Sequence, residues 1–152
     1  MPPPLSPYDP SSGSAPPLTD LDRVAEHMRF LGYVVQFDDA YEDRGGLFTA
    51  THDVSFNLTV RGFRGGILFG CVLRTTDEAR EHQHELAFFA NACNQQAVFT
   101  RFVADADGDF VGEGFYAGPY DQQRFGAFLV AYDREVATLP GQSPDLSDRM
   151  LA

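Results

Sequence analysis

Three observations predict a two-layer α+β domain, one antiparallel sheet with three helices in the order α, β-meander, α, β-hairpin, α. Apolar residues recur at helical spacing in three separate segments of the sequence. Between them lie stretches where the apolar period drops to 2. The strands so marked are joined by short turns rich in Gly and Asp, which suit antiparallel neighbours. At 152 residues, 43% of them hydrophobic and 14 of them Phe, the chain carries material for one core and is expected to form one domain.

Taken in order, residues 1–17 hold seven of the ten prolines, interleaved with Ser11, Ser12, Gly13 and Ser14. Such a segment buries too little apolar surface to offset its ordering entropy, so a disordered Pro/Ser-rich tail is expected there. Its PxxP spacings, Pro4 to Pro7 and Pro7 to Pro10, lack flanking Arg or Lys, so a role as a ligand for an aromatic groove is not the expectation. The folded domain is expected over 18–139. Thr19 offers an N-cap, and Asp20 and Asp22 suit the positive end of a helix dipole. Leu21, Val24, Ala25, Met28 and Leu31 then share one helical face, with Gly32 as the terminator. Tyr33 to Phe37 reads as a short strand, and the acidic stretch Asp38 to Gly46 as a loop. Leu47 to Thr51 is a second strand. Val54, Phe56, Leu58 and Val60 alternate with polar residues, which predicts a third. Gly62 to Gly66 turns it into Ile67 to Arg74.

Thr76 or Asp77 opens a second helix expected to run to about Gln96, with Ala79, Leu86, Phe89, Ala90 and Cys93 as its apolar stripe. Ala97 to Ala104 and Phe110 to Ala117 form a hairpin around Asp105 to Asp109. Phe125, Phe128, Leu129, Tyr132 and Val136 mark a third helix ending before Pro140. Residues 140–152 are turn-rich and expected as a flexible C-terminal tail.

Composition excludes several chemistries. The formal charge is −11, all eleven cations are Arg, and the chain has neither Lys nor Trp. P-loop phosphate binding, Schiff-base formation and lysine general-base catalysis are thereby ruled out. A net-acidic domain without a basic run lacks the footprint for nucleic acid or an anionic membrane surface. Acidic mimicry of nucleic acid rests on net charge alone. No export signal and no run of 18 apolar residues occurs, so a cytoplasmic protein is the expectation.

The remaining motifs are weak. Counted as an EF-hand from Asp105, the acidic turn Asp105, Asp107, Asp109 has Phe110 where Gly is needed and Tyr116 where Glu is needed. An ordinary Asp-Gly turn accounts for the same residues. His82 and His84 lie on the second predicted helix, where residues two apart point roughly 200° apart and cannot share an ion. Glu78, Glu81 and Glu85 complete a polar face. Cys71 and Cys93 read as small buried hydrophobes, with a disulfide or a reactive thiol as the alternatives. No catalytic constellation, cofactor motif or metal set is complete, and no enzymatic activity is expected. A small-molecule or divalent-metal binder using the acidic turn or the Glu/His helix face is the alternative function.

One pattern does ask for a function. The strand Ile67 to Arg74 is apolar on both faces, and so are both hairpin strands. Leu68, Val72, Val98, Phe102, Val111 and Phe115 are expected to share a face that the chain's own helices do not cover. Uncovered apolar area on that scale marks a partner or homodimer surface. The competing arrangement has a helix on each face and everything buried within the domain.

The run Asn91-Ala92-Cys93-Asn94, then Val98-Phe99-Thr100-Arg101-Phe102-Val103 and Asp105-Ala106-Asp107-Gly108-Asp109-Phe110-Val111, resembles the YbjN family of bacterial sensory transduction regulators. With the leading helix and Gly32-Tyr33, the resemblance spans about 19–138. It implies a fold similar to class I type III secretion chaperones, small acidic proteins that dimerise and hold polypeptides. The expected function is therefore a non-enzymatic, chaperone-like or regulatory interaction module that dimerises and binds a protein or peptide. The family supplies no active site to carry over. Asn91 and Asn94 match its motif, and a structural role at the helix-to-strand junction is expected for both. The chain departs from the family at Cys93, where an aromatic is frequent, and near Gly114 and Phe115, where an acidic residue is frequent.

Overall fold

The computed structural model describes residues 19–152. The tail expected over 1–17 lies outside the described residues. Helix α1 (Asp20–Phe30) starts on a complete capping box: the Thr19 hydroxyl accepts the Asp22 N–H, and the Asp22 carboxylate accepts the Thr19 N–H. Four antiparallel strands follow, β1 (Val34–Phe37), β2 (Leu47–Thr51), β3 (Leu58–Phe63) and β4 (Gly66–Leu73). Then come α2 (Asp77–Glu81), α3 (Gln83–Asn94), the hairpin β5 (Thr100–Ala104) and β6 (Phe110–Ala117), α4 (Gln122–Thr138) and α5 (Pro144–Met150). The six strands form one antiparallel sheet in the order β1-β2-β3-β4-β6-β5, so the hairpin adds to β4 through its second strand. The α+β class and the antiparallel sheet stand as expected from the sequence.

Strand periodicity divides the sheet into two unlike faces. Phe48, Val60, Phe69, Cys71, Phe102, Phe110 and Tyr116 all point to one side, as the pairings Phe48↔Val60↔Phe69, Ile67↔Tyr116 and Cys71↔Gly112↔Phe102 require. That inner face carries the entire core. Its first part joins α1 and α4 to β2, β3, β4 and Tyr116. Its second joins α2, α3 and Met150 of α5 to Phe102 and Phe110. Two glycines on β6 let α4 approach closely: a Cβ on Gly114 would lie 2.6 Å from the Tyr132 ring, and one on Gly112 would lie 3.1 Å from Val136. The Tyr132 hydroxyl closes this contact by donating to the Gly112 carbonyl at 2.7 Å.

Several local expectations are corrected. The strand expected from Val54 begins only at Leu58. His52 is the reason: its Nδ1 accepts the N–H groups of Val54 and Ser55, both at 3.0 Å, and folds the chain into a loop that leaves Val54 90% exposed. The loop expected at 38–46 contains a 3-10 turn, Asp39–Arg44, capped by the Asp38 carboxylate. The single helix expected from Thr76 to Gln96 is two, broken at His82 with φ −119° and ψ 59°. The strand expected from Ala97 starts at Thr100.

The C-terminal residues 140–152, expected as a flexible tail, are instead built into the fold. A 3-10 turn (Pro140–Gln142) leads into α5, whose Met150 is fully buried. Arg149 donates to Glu78 at 2.8 Å and to Glu85 at 2.6 Å, tying α5 to both α2 and α3. Leu151 then bridges Thr75, and the Ala152 N–H reaches the Arg74 carbonyl at 2.9 Å.

Candidate interaction surface

Every helix lies against the inner face, so the outer face is left open among the described residues. None of its strand side chains is fully buried. Three rows cross it, as the strand register dictates. Arg61, Leu68 and Phe115 form the first. Thr59, Gly70, Glu113 and Arg101 form the second, in which the Arg101 guanidinium pairs with the Glu113 carboxylate. Val72, Val111 and Val103 form the third, a run of β-branched side chains across β4, β6 and β5. Val72 is 59% and Phe115 44% exposed.

At one end this face is concave. A groove of about 340 Å³ is lined by Phe63, Leu68, Val98, Phe99 and Phe115, with the Arg101–Glu113 pair beside it. Gly66 makes room for it: the Phe115 ring lies where a Gly66 Cβ would stand, 2.5 Å from its Cζ. The guanidinium groups of Arg61 and Arg64 sit 5.0 and 5.1 Å from the centre of the Phe63 ring, within cation–π range. Phe63 also lines a larger cleft of about 810 Å³ that contains Thr19.

Of the six residues expected on this face, Leu68, Val72, Val111 and Phe115 are there, and Val98 is 80% exposed at its edge. Phe102 is not. It is 2% exposed on the inner face, packed against Phe110 with ring centres 5.5 Å apart. The five-residue turn 105–109 sets Ala104 opposite Phe110, so residues of equal parity across the hairpin share a face. Val103, not Phe102, is therefore the neighbour of Val111. Turn length was the signal that could have placed it. Phe63, Phe99 and Val103 complete the surface and were not among the expected residues.

Asn94 closes the sheet edge at β5. Its side-chain N–H donates to the Phe102 carbonyl at 2.9 Å, and its Oδ1 accepts the Phe102 N–H at 2.7 Å, so the amide imitates a neighbouring strand. Glu135 continues the closure by accepting the N–H groups of Val98 at 2.7 Å and Phe99 at 3.0 Å. Asn91 is exposed, and its side chain makes no hydrogen bond among the described residues.

The other candidate sites are accounted for by local structure. The Asp105 carboxylate accepts the N–H groups of Asp107 and Asp109, both at 2.9 Å, which makes an Asx-type turn. The ring centres of His82 and His84, on either side of the helix break, lie 6.5 Å apart. The His82 Nδ1 is turned to the Glu78 carbonyl at 3.0 Å. No cluster of three or more His, Cys, Asp or Glu poised for a metal occurs among the described residues. Cys71 and Cys93 are both reduced and buried, on β4 and α3. Burial, assisted by the nearby Asp133 charge, pushes the Cys71 thiol up to about 12; burial alone pushes Cys93 up to about 11. Neither is a thiolate at neutral pH, so neither has the nucleophilic form. No helix among the described residues is long and apolar enough to cross a membrane.

A helix-backed antiparallel sheet with one open, partly apolar face defines the class. Within it the chain has a YbjN-like fold: it is similar to the crystal structure of YbjN from E. coli, a proposed transcription regulator, with a TM-score of 0.63 over 87% of this chain and 95% of that one. Sequence identity across that match is 14%. No family model and no curated protein sequence matches the chain.

Proposed function

We propose that this chain is a non-enzymatic interaction module, chaperone-like or regulatory, which pairs with a second copy of itself and holds a polypeptide segment on the outer face of its sheet. The observation that carries this reading is the placement of every helix among the described residues on one side of the sheet while Leu68, Val72, Val103, Val111 and Phe115 face outward. The two parts of that face suit two tasks. A valine row can be self-complementary across a two-fold axis. The concave aromatic end suits an extended chain with apolar side chains. A regulatory adaptor is also compatible with the fold neighbour, itself a proposed transcription regulator.

Titration of the full chain into fluorescein-labelled ribonuclease, reduced and carboxymethylated so that it stays unfolded, tests the polypeptide-binding half by anisotropy at high salt. Saturable binding is expected, weakened about tenfold or more by Phe115→Asp, as for a central apolar anchor. Binding that is absent, or unaltered by that substitution in a folded variant, contradicts the reading.

A further inference from the structure

We propose that His52 is a proton-operated latch on the β2–β3 connection: neutral, it holds residues 54–57 in a loop; protonated, it releases them to lengthen β3 along β4, beside the valine row of the outer face. The consequence for that row rests on the reading of the outer face as the interaction surface. The imidazole is held in one tautomer. Its Nδ1 accepts the N–H groups of Val54 and Ser55, both at 3.0 Å, so that nitrogen carries no proton. Its Nε2 lies 3.3 Å from the Leu31 carbonyl and donates to it. Gly32, with φ 96°, admits the ring there, since a Cβ would lie 3.2 Å from Nε2. A second proton has only Nδ1 to go to, where it would face two N–H donors and end both bonds. Histidine is the side chain that takes up a proton on mild acidification. The titratable and charged groups around the ring are Tyr33 of β1, with ring centres 4.8 Å apart, Asp133 of α4 and, next in the chain, Asp53.

The released segment has a place to go. Pairing of β3 with β4 stops at Thr59↔Gly70, whereas β6 pairs with β4 as far as Leu73. The two-residue turn Arg64-Gly65 makes Phe63↔Gly66 a hydrogen-bonded pair, so Thr59↔Gly70 is one too. Val72 is then the next residue of β4 whose N–H and C=O point toward β3, and no backbone bond reaches it from that side among the described residues. Continued in the same register, β3 would set Asn57 opposite Val72 and Phe56 opposite Leu73. Val54, Phe56, Leu58 and Val60 keep the strand alternation that the loop leaves unused, and Asp53 to Ser55 would remain as a three-residue hairpin loop. The Asn57 side chain would give up its bond to the His52 N–H and join Val72, Val111 and Val103 as the fourth member of their row.

The test is amide hydrogen exchange of the full chain, followed by NMR as protection factors at about pH 7.5 and about pH 5, with the His52 ring signals reporting its protonation. On acidification the protection of Val54 and Ser55 should fall about tenfold, the worth of one hydrogen bond, while that of Val72 rises by a similar factor. His52→Asn, which has an acceptor oxygen and no site for the proton, should hold all three amides constant across that range. His52→Phe, with no acceptor, should show the acidic pattern at both pH values, with shift dispersion attesting the fold. Protonation of His52 without these changes overturns the proposal. So does loss at Val54 and Ser55 with no gain at Val72, or a pattern that survives His52→Asn or vanishes in Asp133→Asn. The amides report without any partner, so failure of the latch leaves the outer-face function standing, and failure of polypeptide binding or pairing leaves the latch standing.

Discussion

At Asn94 one side chain performs the work of a strand. It satisfies both backbone groups of Phe102 that face away from β6, and so prevents the β5 edge from pairing with another chain. Asn94→Ala should cost about 1–2 kcal/mol in urea unfolding, because a part-buried N–H and C=O lose their partners. Asn91→Ala, at an exposed site, should fall within about 0.5 kcal/mol. Equal effects of the two would contradict the division of roles. Asp133 is the second residue with a measurable signature. It lies beside Tyr132 on α4 with its Oδ1 buried and unpartnered, and burial raises its carboxyl above the usual 3.8. A raised carboxyl binds its proton more tightly in the folded state. The stability this supplies is complete below pH 3.8 and fades as pH rises through the folded value. Asp133→Asn should therefore have a melting temperature above wild type at pH 7, with the advantage shrinking as pH falls toward 4. A constant difference across that range would remove Asp133 from the account.

At the scale of elements, what was legible in the sequence was whatever depended on local periodicity. The apolar run Ile67 to Leu73 after the Gly62–Gly66 turn and the 3.6-residue stripe from Phe125 to Val136 located β4 and α4. The misplaced elements are those decided by side chains reaching backbone. His52 captures two N–H groups and removes four residues from β3; the composition of 54–57 still alternates and gives no hint of it. The residues after Pro140 look like a frayed tail, yet Arg149 and Met150 hold them against α2 and α3. Met150→Ala should destabilise by about 2–5 kcal/mol in a denaturant melt, the range for deleting a large buried side chain. A change under about 0.5 kcal/mol would restore the tail reading.

At the scale of the molecule, the sheet has more apolar surface than its helices cover. That excess was visible in the sequence as strands apolar on both faces. Which residues expose it was not, because the face of each hairpin strand depends on the length of the turn between them; Phe102 was set on the wrong side for that reason. Most of the acidic residues lie in loops and on helix exteriors, while the outer face carries Arg61 and the Arg101–Glu113 pair among its apolar rows. Self-repulsion of that acidic coat makes any association depend on the apolar rows. Sedimentation equilibrium of the full chain, wild type against Val111→Asp, tests this most directly. The account predicts twice the 16.8 kDa chain mass for wild type, and a monomer with unchanged circular dichroism for the variant. A wild-type monomer, or a dimer indifferent to a carboxylate placed in the valine row, would contradict it.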